Sequence, residues 1–336
     1  MNQSWQGMGF AGVLSVLLAQ LAAAQVLVTT YIGGEVKRYN EASGAAGTNL
    51  TSSISGPSGL TRGPDGFIYA TSQSFTGGSD LVVRINPTTG VSTTFTDLGV
   101  GYGPASLRFH PSNGDLYVSK YGSQTAPVGS GRVDRFNGTT GVLIGAAVSN
   151  LTQPTGLTFN GNNLYISNQG EGNVKLFNGT TTSTLVAQGS GGLAGPAGLG
   201  FGPGGNLYVV DLFGSEVKRY TAAGVPVGTG TFAAGASLNG NFPSDLLFDT
   251  NGKLWVANLG ASFASPTGSL VRFDATTGVF FDTVAMNLPG ASQLTLIPVP
   301  EPAALVSVGG LLAAWWTRRR LSRPSPAHGA AVSPTS

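Results

Sequence analysis

Between residues 26 and 298 the chain alternates. Apolar and polar residues take turns over short runs, and each run stops at a cluster of Gly, Pro, Asn or Asp. A period of two marks a strand with one buried face, and such clusters close strands into turns. The pattern also repeats at a longer distance. GPSGLTRGPDGFIYATS (56–72), GPASLRFHPSNGDLYVSK (103–120), QPTGLTFNGNNLYISN (153–168), GPAGLGFGPGGNLYVVD (195–211) and FPSDLLFDTNGKLWVAN (242–258) align with one another. Each is a Pro-small-x-Leu run, a turn, and an alternating run with Tyr or Trp. The shared leucines, Leu60, Leu107, Leu157, Leu199 and Leu246, are 47, 50, 42 and 47 residues apart.

A second pattern follows each of these: EVKRYNEASG (35–44), LVVRINPTTG (81–90), RVDRFNGTTG (132–141), NVKLFNGTTT (173–182), EVKRYTAAG (216–224) and LVRFDATTG (270–278). This is a strand entering a tight hairpin and a further strand. Asn137-Gly138 and Asn178-Gly179 are read as hairpin turns. Each period therefore holds about four short antiparallel strands, the signature of a β-propeller blade. Residues 26–52 supply only the last three strands of a unit, the third near Thr48–Ser52. GASQLTLIP (290–298) supplies the missing first one, since Leu294 lies 48 residues after Leu246 and keeps the phase. The prediction is an all-β, six-bladed β-propeller over 25–298, its first blade closed by both termini.

Composition agrees. Only 10% of residues are charged, and Gly accounts for 52 of 336. The formal net charge of +2 belongs to the C-terminal tail; residues 25–298 hold 13 basic and 14 acidic side chains. No basic face is implied, so nucleic acid is not an expected partner. The absence of cysteine removes disulfides, thiolate metal sites and Cys nucleophiles.

The two ends differ from the middle. FAGVLSVLLAQLAAA (10–24) ends in small residues and reads as a signal peptide over 1–24, although no Lys or Arg precedes it; a buried N-terminal helix is the other reading. Ala303–Trp316 is an apolar run, short for a bilayer and followed by Arg318, Arg319 and Arg320. With Pro300, Glu301 and Pro302 before it, the segment 299–320 resembles the PEP-CTERM sorting signal of exopolysaccharide-producing Gram-negative bacteria. Residues 321–336 form an additional tail, expected to be disordered. The resemblance implies export, transient membrane attachment through a short C-terminal transmembrane helix, processing by an exosortase-type enzyme, and a place in the cell envelope or extracellular matrix. A permanent single-span anchor in the inner membrane is the alternative.

The repeats resemble NHL and SMP-30/gluconolactonase-like propellers, on the Pro-x-Gly-Leu and Asn-Leu-Tyr-Val runs over about 26–298. In gluconolactonase-like enzymes Asn and Asp just before the Gly-Leu hold a divalent metal. Here those positions are Ser58, Ala105, Thr155, Ala197, Ser244 and Ser292. No metal site and no cofactor are expected, and a single neighbouring carboxylate, Asp245, is a weak ligand set for a hard cation. The streptogramin lyases, which share the fold, depend on a histidine. His110 enters a turn and is read as a turn residue.

The remaining candidates close the second strand of each repeat: Ser72, Lys120, Asn168, Asp211 and Asn258, with Tyr31 in the first. They are expected near one channel mouth, either as a ring for a polar ligand or as Asx-type anchors of turn backbone. Together with Asp245 they form the candidate ligand site. Phe75, Tyr121 and Phe263, in loops of variable length, are candidate stacking surfaces. The expected function is non-catalytic binding of polysaccharide or an envelope protein. The alternative is a gluconolactonase-like or streptogramin-lyase-like enzyme with a non-standard site.

Overall fold

The computed structural model describes residues 24–298 apart from 75–76, 102, 124–127, 239–240 and 262–265. The expected signal peptide, sorting motif, apolar helix and tail lie outside the described residues, as do Phe75 and Phe263. No helix among the described residues is long and apolar enough to cross a membrane.

Ala24–Ile297 forms one compact unit of six antiparallel sheets. The first blade pairs β1 (Gln25–Thr30) with β2 (Glu35–Asn40) on one side and with β23 (Ala291–Ile297) on the other. The second contains β3 (Leu60–Arg62), β4 (Ile68–Ser72), β5 (Ser79–Ile85) and β6 (Ser92–Val100). The third contains β7 (Pro104–Phe109), β8 (Leu116–Lys120), β9 (Gly131–Phe136) and β10 (Leu143–Leu151). The fourth contains β11 (Pro154–Asn160), β12 (Asn163–Asn168), β13 (Asn173–Phe177) and β14 (Thr182–Val186). The fifth contains β15 (Pro196–Phe201), β16 (Leu207–Asp211), β17 (Glu216–Tyr220) and β18 (Pro226–Ala233). The sixth contains β19 (Pro243–Phe248), β20 (Lys253–Asn258), β21 (Gly268–Asp274) and β22 (Phe280–Leu288).

The ring is closed. The inner strands touch in the order β23, β3, β7, β11, β15, β19 and back to β23. One expected element is reduced. The outer strand of the first blade makes only the bridges Tyr39↔Ala46 and Val36↔Thr51.

The core is divided among the blade interfaces. Six buried clusters each draw on two neighbouring blades. An aromatic relay crosses four of these interfaces. Tyr69, Tyr117, Tyr165 and Tyr208, from the second strands, meet Phe109, Phe159, Phe201 and Phe248 of the next blade at 4.8, 5.3, 4.9 and 4.7 Å between ring centroids. The rings are steeply inclined, the arrangement that sets a positive ring edge against a negative face. Trp255 continues the series into the cluster of the first blade. Each such pair contributes about 0.5–1.5 kcal/mol beyond area burial.

The hairpin repeats are Asx turns. Asn86, Asn137, Asn178 and Asp274 each accept, through Oδ1, the amides two and three residues on. The glycine that ends the turn has two reasons to be glycine. Gly278 has φ +73°, and a Cβ there would lie 2.0 Å from the carbonyl oxygen of Phe232 in the preceding blade. Gly90 repeats this against Leu50. The Asn137 turn places its positive φ at Gly141, not at the expected Gly138.

Gly278→Ala is therefore expected to cost more than Gly252→Ala. Gly252 also has a positive φ (+74°), but a Cβ there meets nothing within 4 Å. Urea unfolding should show a loss of about 1–2 kcal/mol for Gly252→Ala and a clearly larger one for Gly278→Ala. Equal losses would refute the steric role of the blade-to-blade approach.

Candidate functional site

Four of the six inner strands begin with a bulge. The register shifts just after Pro104, Pro154, Pro196 and Pro243. A bulge frees backbone amides, which hydroxyls from the second strand then satisfy. Thr29 Oγ1 accepts from Gln293 N, Thr71 Oγ1 from Gly59 N and Ser119 Oγ from Ser106 N, at 2.9, 2.7 and 2.9 Å.

The six positions where gluconolactonase-like enzymes carry ligands have hydroxyls or methyls. Those hydroxyls point sideways. Ser58 Oγ donates to Pro104 O, Thr155 Oγ1 to Pro196 O, Ser244 Oγ to Ala291 O and Ser292 Oγ to Ser58 O. Each bond joins one inner strand to the next, so these side chains hold the ring together.

The candidates at the ends of the second strands are anchors. Lys120 Nζ, 3% exposed as a residue, donates to Leu98 O at 2.8 Å and pairs with Asp134 at 2.8 Å. Asn168 Oδ1 accepts Thr152 N. The Asp211 carboxylate accepts the amides of Ala194, Gly195 and Gly214. Asn258 Nδ2 donates to Ser237 O and Ser269 Oγ. Ser72 Oγ donates to Ser55 O. All but the Asn258–Ser269 bond and the two Lys120 contacts, which go to strands β6 and β9, reach chain that connects strands, and none of these residues lines the central cavity. The expected ring at Lys120, Asn168, Asp211 and Asn258 therefore lies outside the lining of this cavity. The physical reason is the two-residue period of a strand: a shift of one position moves a side chain to the other face.

The residue that follows each anchor faces the channel. Tyr31, Gln73, Tyr121, Gln169, Leu212 and Leu259 line a cavity of about 1020 Å³. Their amides are tied to the strand entrances by the same bond in every blade, to the carbonyls of Gly290, Ser55, Gly103, Gln153, Gly195 and Phe242. The rim is thus two-sided, with four polar or phenolic side chains facing two leucines. Tyr31 Oη donates to Gln73 Oε1 at 2.6 Å, and Tyr121 Oη to Gln169 Oε1 at 3.3 Å. Both amide nitrogens are left without an acceptor among the described residues. Burial raises the Tyr31 phenol, with the charge of Asp80 adding to it, and burial raises Tyr121. Both phenols stay neutral through the physiological range. Among the described residues the one charged member of the lining is Asp80, whose carboxylate accepts Ser74 N and Gly103 N at 2.9 and 3.0 Å.

Asp245 is elsewhere, buried under the cavity. Its Oδ2 accepts Leu294 N at 2.9 Å, and a Cβ on Gly198 would overlap its carboxylate. Burial pushes its pKa up to about 6, against the opposing charge of Arg108 and the amides of Leu294 and Leu246. Arg108 and Gln293 belong to the same group, and sequence reasoning missed both. Gln293 Oε1 accepts Leu60 N at 2.8 Å, and Gln293 Nε2 donates to Ser106 Oγ at 2.8 Å. Both residues break the repeat: Gln293 stands where Gly59, Gly156 and Gly198 stand, and Arg108 where Thr61, Thr158 and Thr295 stand.

His110 accepts the amide of Ser112 on Nδ1 at 3.2 Å and packs against Phe159 at 5.0 Å. Burial lowers its pKa, followed by the charge of Arg135. It is a turn residue. No cluster of three or more His, Cys, Asp or Glu suited to a metal occurs among the described residues.

No family model matches the chain, and no curated protein matches it. Solved structures do. A chain of a nidogen/laminin complex superposes with a TM-score of 0.61 at 17% identity, covering 81% of this chain and 98% of that one. Regucalcin from Agrobacterium tumefaciens, a calcium-binding protein, gives 0.53 at 15%, covering 69% and 77%. Virginiamycin B lyase from Staphylococcus aureus gives 0.52 at 15%, covering 83% and 85%. The likeness is one of fold. The chain is a six-bladed β-propeller with SMP-30- and NHL-like structural neighbours.

Asp245 makes stability depend on pH. Its pKa is raised in the folded state, so its protonated form is favoured there. The contribution is complete below about pH 4 and is lost as pH rises through about 6, by about 3 kcal/mol. In Asp245→Asn that fall should vanish from denaturant unfolding compared at pH 4.5 and 7. An unchanged fall would assign the pH dependence to other groups.

Proposed function

We propose that this propeller is exported and binds a neutral polar ligand, a segment of polysaccharide, in the cavity at one mouth of its channel. The observation that carries the reading is the rim. Two phenols hold two amides by their oxygens, leaving the amide nitrogens to donate to sugar hydroxyls. The phenol rings supply flat apolar surface, and Leu212 and Leu259 cover the opposite side. A sugar presents the same combination of hydroxyl edges and apolar ring faces. Acid–base or metal chemistry finds little support in the lining. The family ligand positions spend their hydroxyls on the next blade, and the lining carboxylate is capped by two backbone amides.

In the same proposal, residues 1–24 direct export. Pro300, Glu301 and Pro302, with the apolar run and Arg318–Arg320, form a sorting signal for an exosortase-type enzyme. The C-terminal helix holds the chain in the inner membrane until processing, and the propeller then remains in the envelope or matrix. The prolines suit a protease cleft, because they keep the segment extended and remove amide donors.

Binding is tested on an array of neutral and acidic glycans with the full chain. A neutral oligosaccharide should bind, and Gln73→Ala with Gln169→Ala should weaken it about tenfold or more, two hydrogen bonds at about 1 kcal/mol each. Binding that survives the double substitution, or no neutral glycan bound at all, would discard this reading. Sorting is tested by mass spectrometry in a host with an exosortase. The mature protein should lose a mass corresponding to roughly residues 302–336, and alanines in place of Pro300, Glu301 and Pro302 should retain the full-length form in the inner membrane. An intact C-terminus on the exported protein would leave the single-span anchor.

A further inference from the structure

The inner strands line the cavity only with their first halves. One position after the shared leucine, the inner strands carry Thr61, Arg108, Thr158, Gly200, Leu247 and Thr295, one from each blade. Arg108 is the one charged member of this set; it is partly exposed, and Gln293, which lines the cavity, lies beside it.

The guanidinium is held by one nitrogen. Nη1 donates to Leu60 O and Leu107 O, both at 2.9 Å, and lies 3.4 Å from Gln293 Oε1. Three inner strands, β3, β7 and β23, thus fix its plane. Nε and Nη2 donate to no acceptor among the described residues. They differ from Arg38 Nε, Arg84 Nε and Arg219 Nε, which lack acceptors and are sealed from solvent. Nε–H and Nη2–H are parallel donors along one edge, the fork that matches the two oxygens of a carboxylate.

The charge is also poorly compensated. Asp245 faces Arg108 from the sixth blade and its charge acts on it, yet it makes no ion pair with Arg108 within 4.0 Å. Burial opposes the charge on Arg108, and the field of Asp245 offsets this only in part. An enclosed cation with an intact, oriented donor edge is a vacancy for an anion.

We propose that the channel holds an anion site beneath the cavity, in which the Nε/Nη2 edge of Arg108 takes a small carboxylate in bidentate fashion. The site goes beyond the polysaccharide reading and does not depend on it. It occupies a different level of the channel and recognises charge, whereas the rim is neutral. Asp245 acts as its electrostatic brake.

The test is a titration of the full chain with sodium formate against sodium chloride at matched ionic strength, followed by calorimetry. One formate should bind per chain, and chloride should displace it poorly, because a spherical ion cannot use both donors. Arg108→Gln should weaken formate at least tenfold, and Arg108→Lys, which keeps the charge without the fork, nearly as much. Asp245→Asn should strengthen it several-fold. This last arm stands even where Arg108→Gln fails to fold, since Arg108 is intact in it. Formate affinity unchanged in Arg108→Gln, or not increased in Asp245→Asn, would overturn the proposal. A neutral oligosaccharide bound by the rim should bind Arg108→Gln as it binds the parent chain. Loss of sugar binding with the formate response intact would count against the rim reading alone.

Discussion

Contact between neighbouring blades is the constraint on which the rest depends. A single four-stranded sheet of this size cannot bury its faces alone. Here each blade buries them against the next, and the apolar clusters accordingly sit at the interfaces. The Tyr–Phe relay locks four of these interfaces, and the Ser and Thr hydroxyls at the strand entrances tie inner strands to one another. Glycines such as Gly278 permit the approach by leaving room for a carbonyl of the blade before. The ring then needs one covalently unrelated joint. β1 and β23 provide it, with Thr29 and Gln293 bonded across 264 residues.

This constraint also explains the chemistry of the channel. Side chains that could have faced a ligand are used to join blades, and side chains at the strand ends are used to hold connecting chain. What remains for a ligand is the next residue out, where the repeat is free to vary. That position changes from Tyr to Gln to Leu around the ring while its backbone bond stays the same. A constant backbone with variable side chains is how one scaffold supports many sites. Likeness to a calcium-binding protein, a lyase and a nidogen/laminin complex therefore describes the scaffold, and the rim has to be read from its own residues.

The fold was legible because its signals are local and repeated. Leucine spacing and the alternation of the second strands appear in nearly every period, Asn/Asp-x-Thr-Thr turns appear in four of the six, and Leu294 disclosed the closure from its phase alone. The site was half legible. Of the residues named from the sequence, Tyr31 and Tyr121 line the cavity. Lys120, Asn168, Asp211 and Asn258 attracted attention because they are polar at the end of a strand. Polar residues there serve backbone as readily as ligand, and only the direction of the side chain separates the two. The bland residues beside them, Gln73 and Gln169, carry no sequence signal beyond their place one step after the anchor.

By itself, then, the sequence determined the class of fold, the number of blades and the closure by both ends. Those follow from periodicity and composition, which are sums over many residues and tolerate error at any one of them. Tertiary structure alone decided which face each strand-end side chain takes, that the entrance hydroxyls join blades, and that Arg108, Gln293 and Asp245, up to 185 residues apart, meet in one channel. Such outcomes turn on a bulge that shifts the register by one residue and on the curvature that brings the first and last strands together, and neither is encoded at a single position.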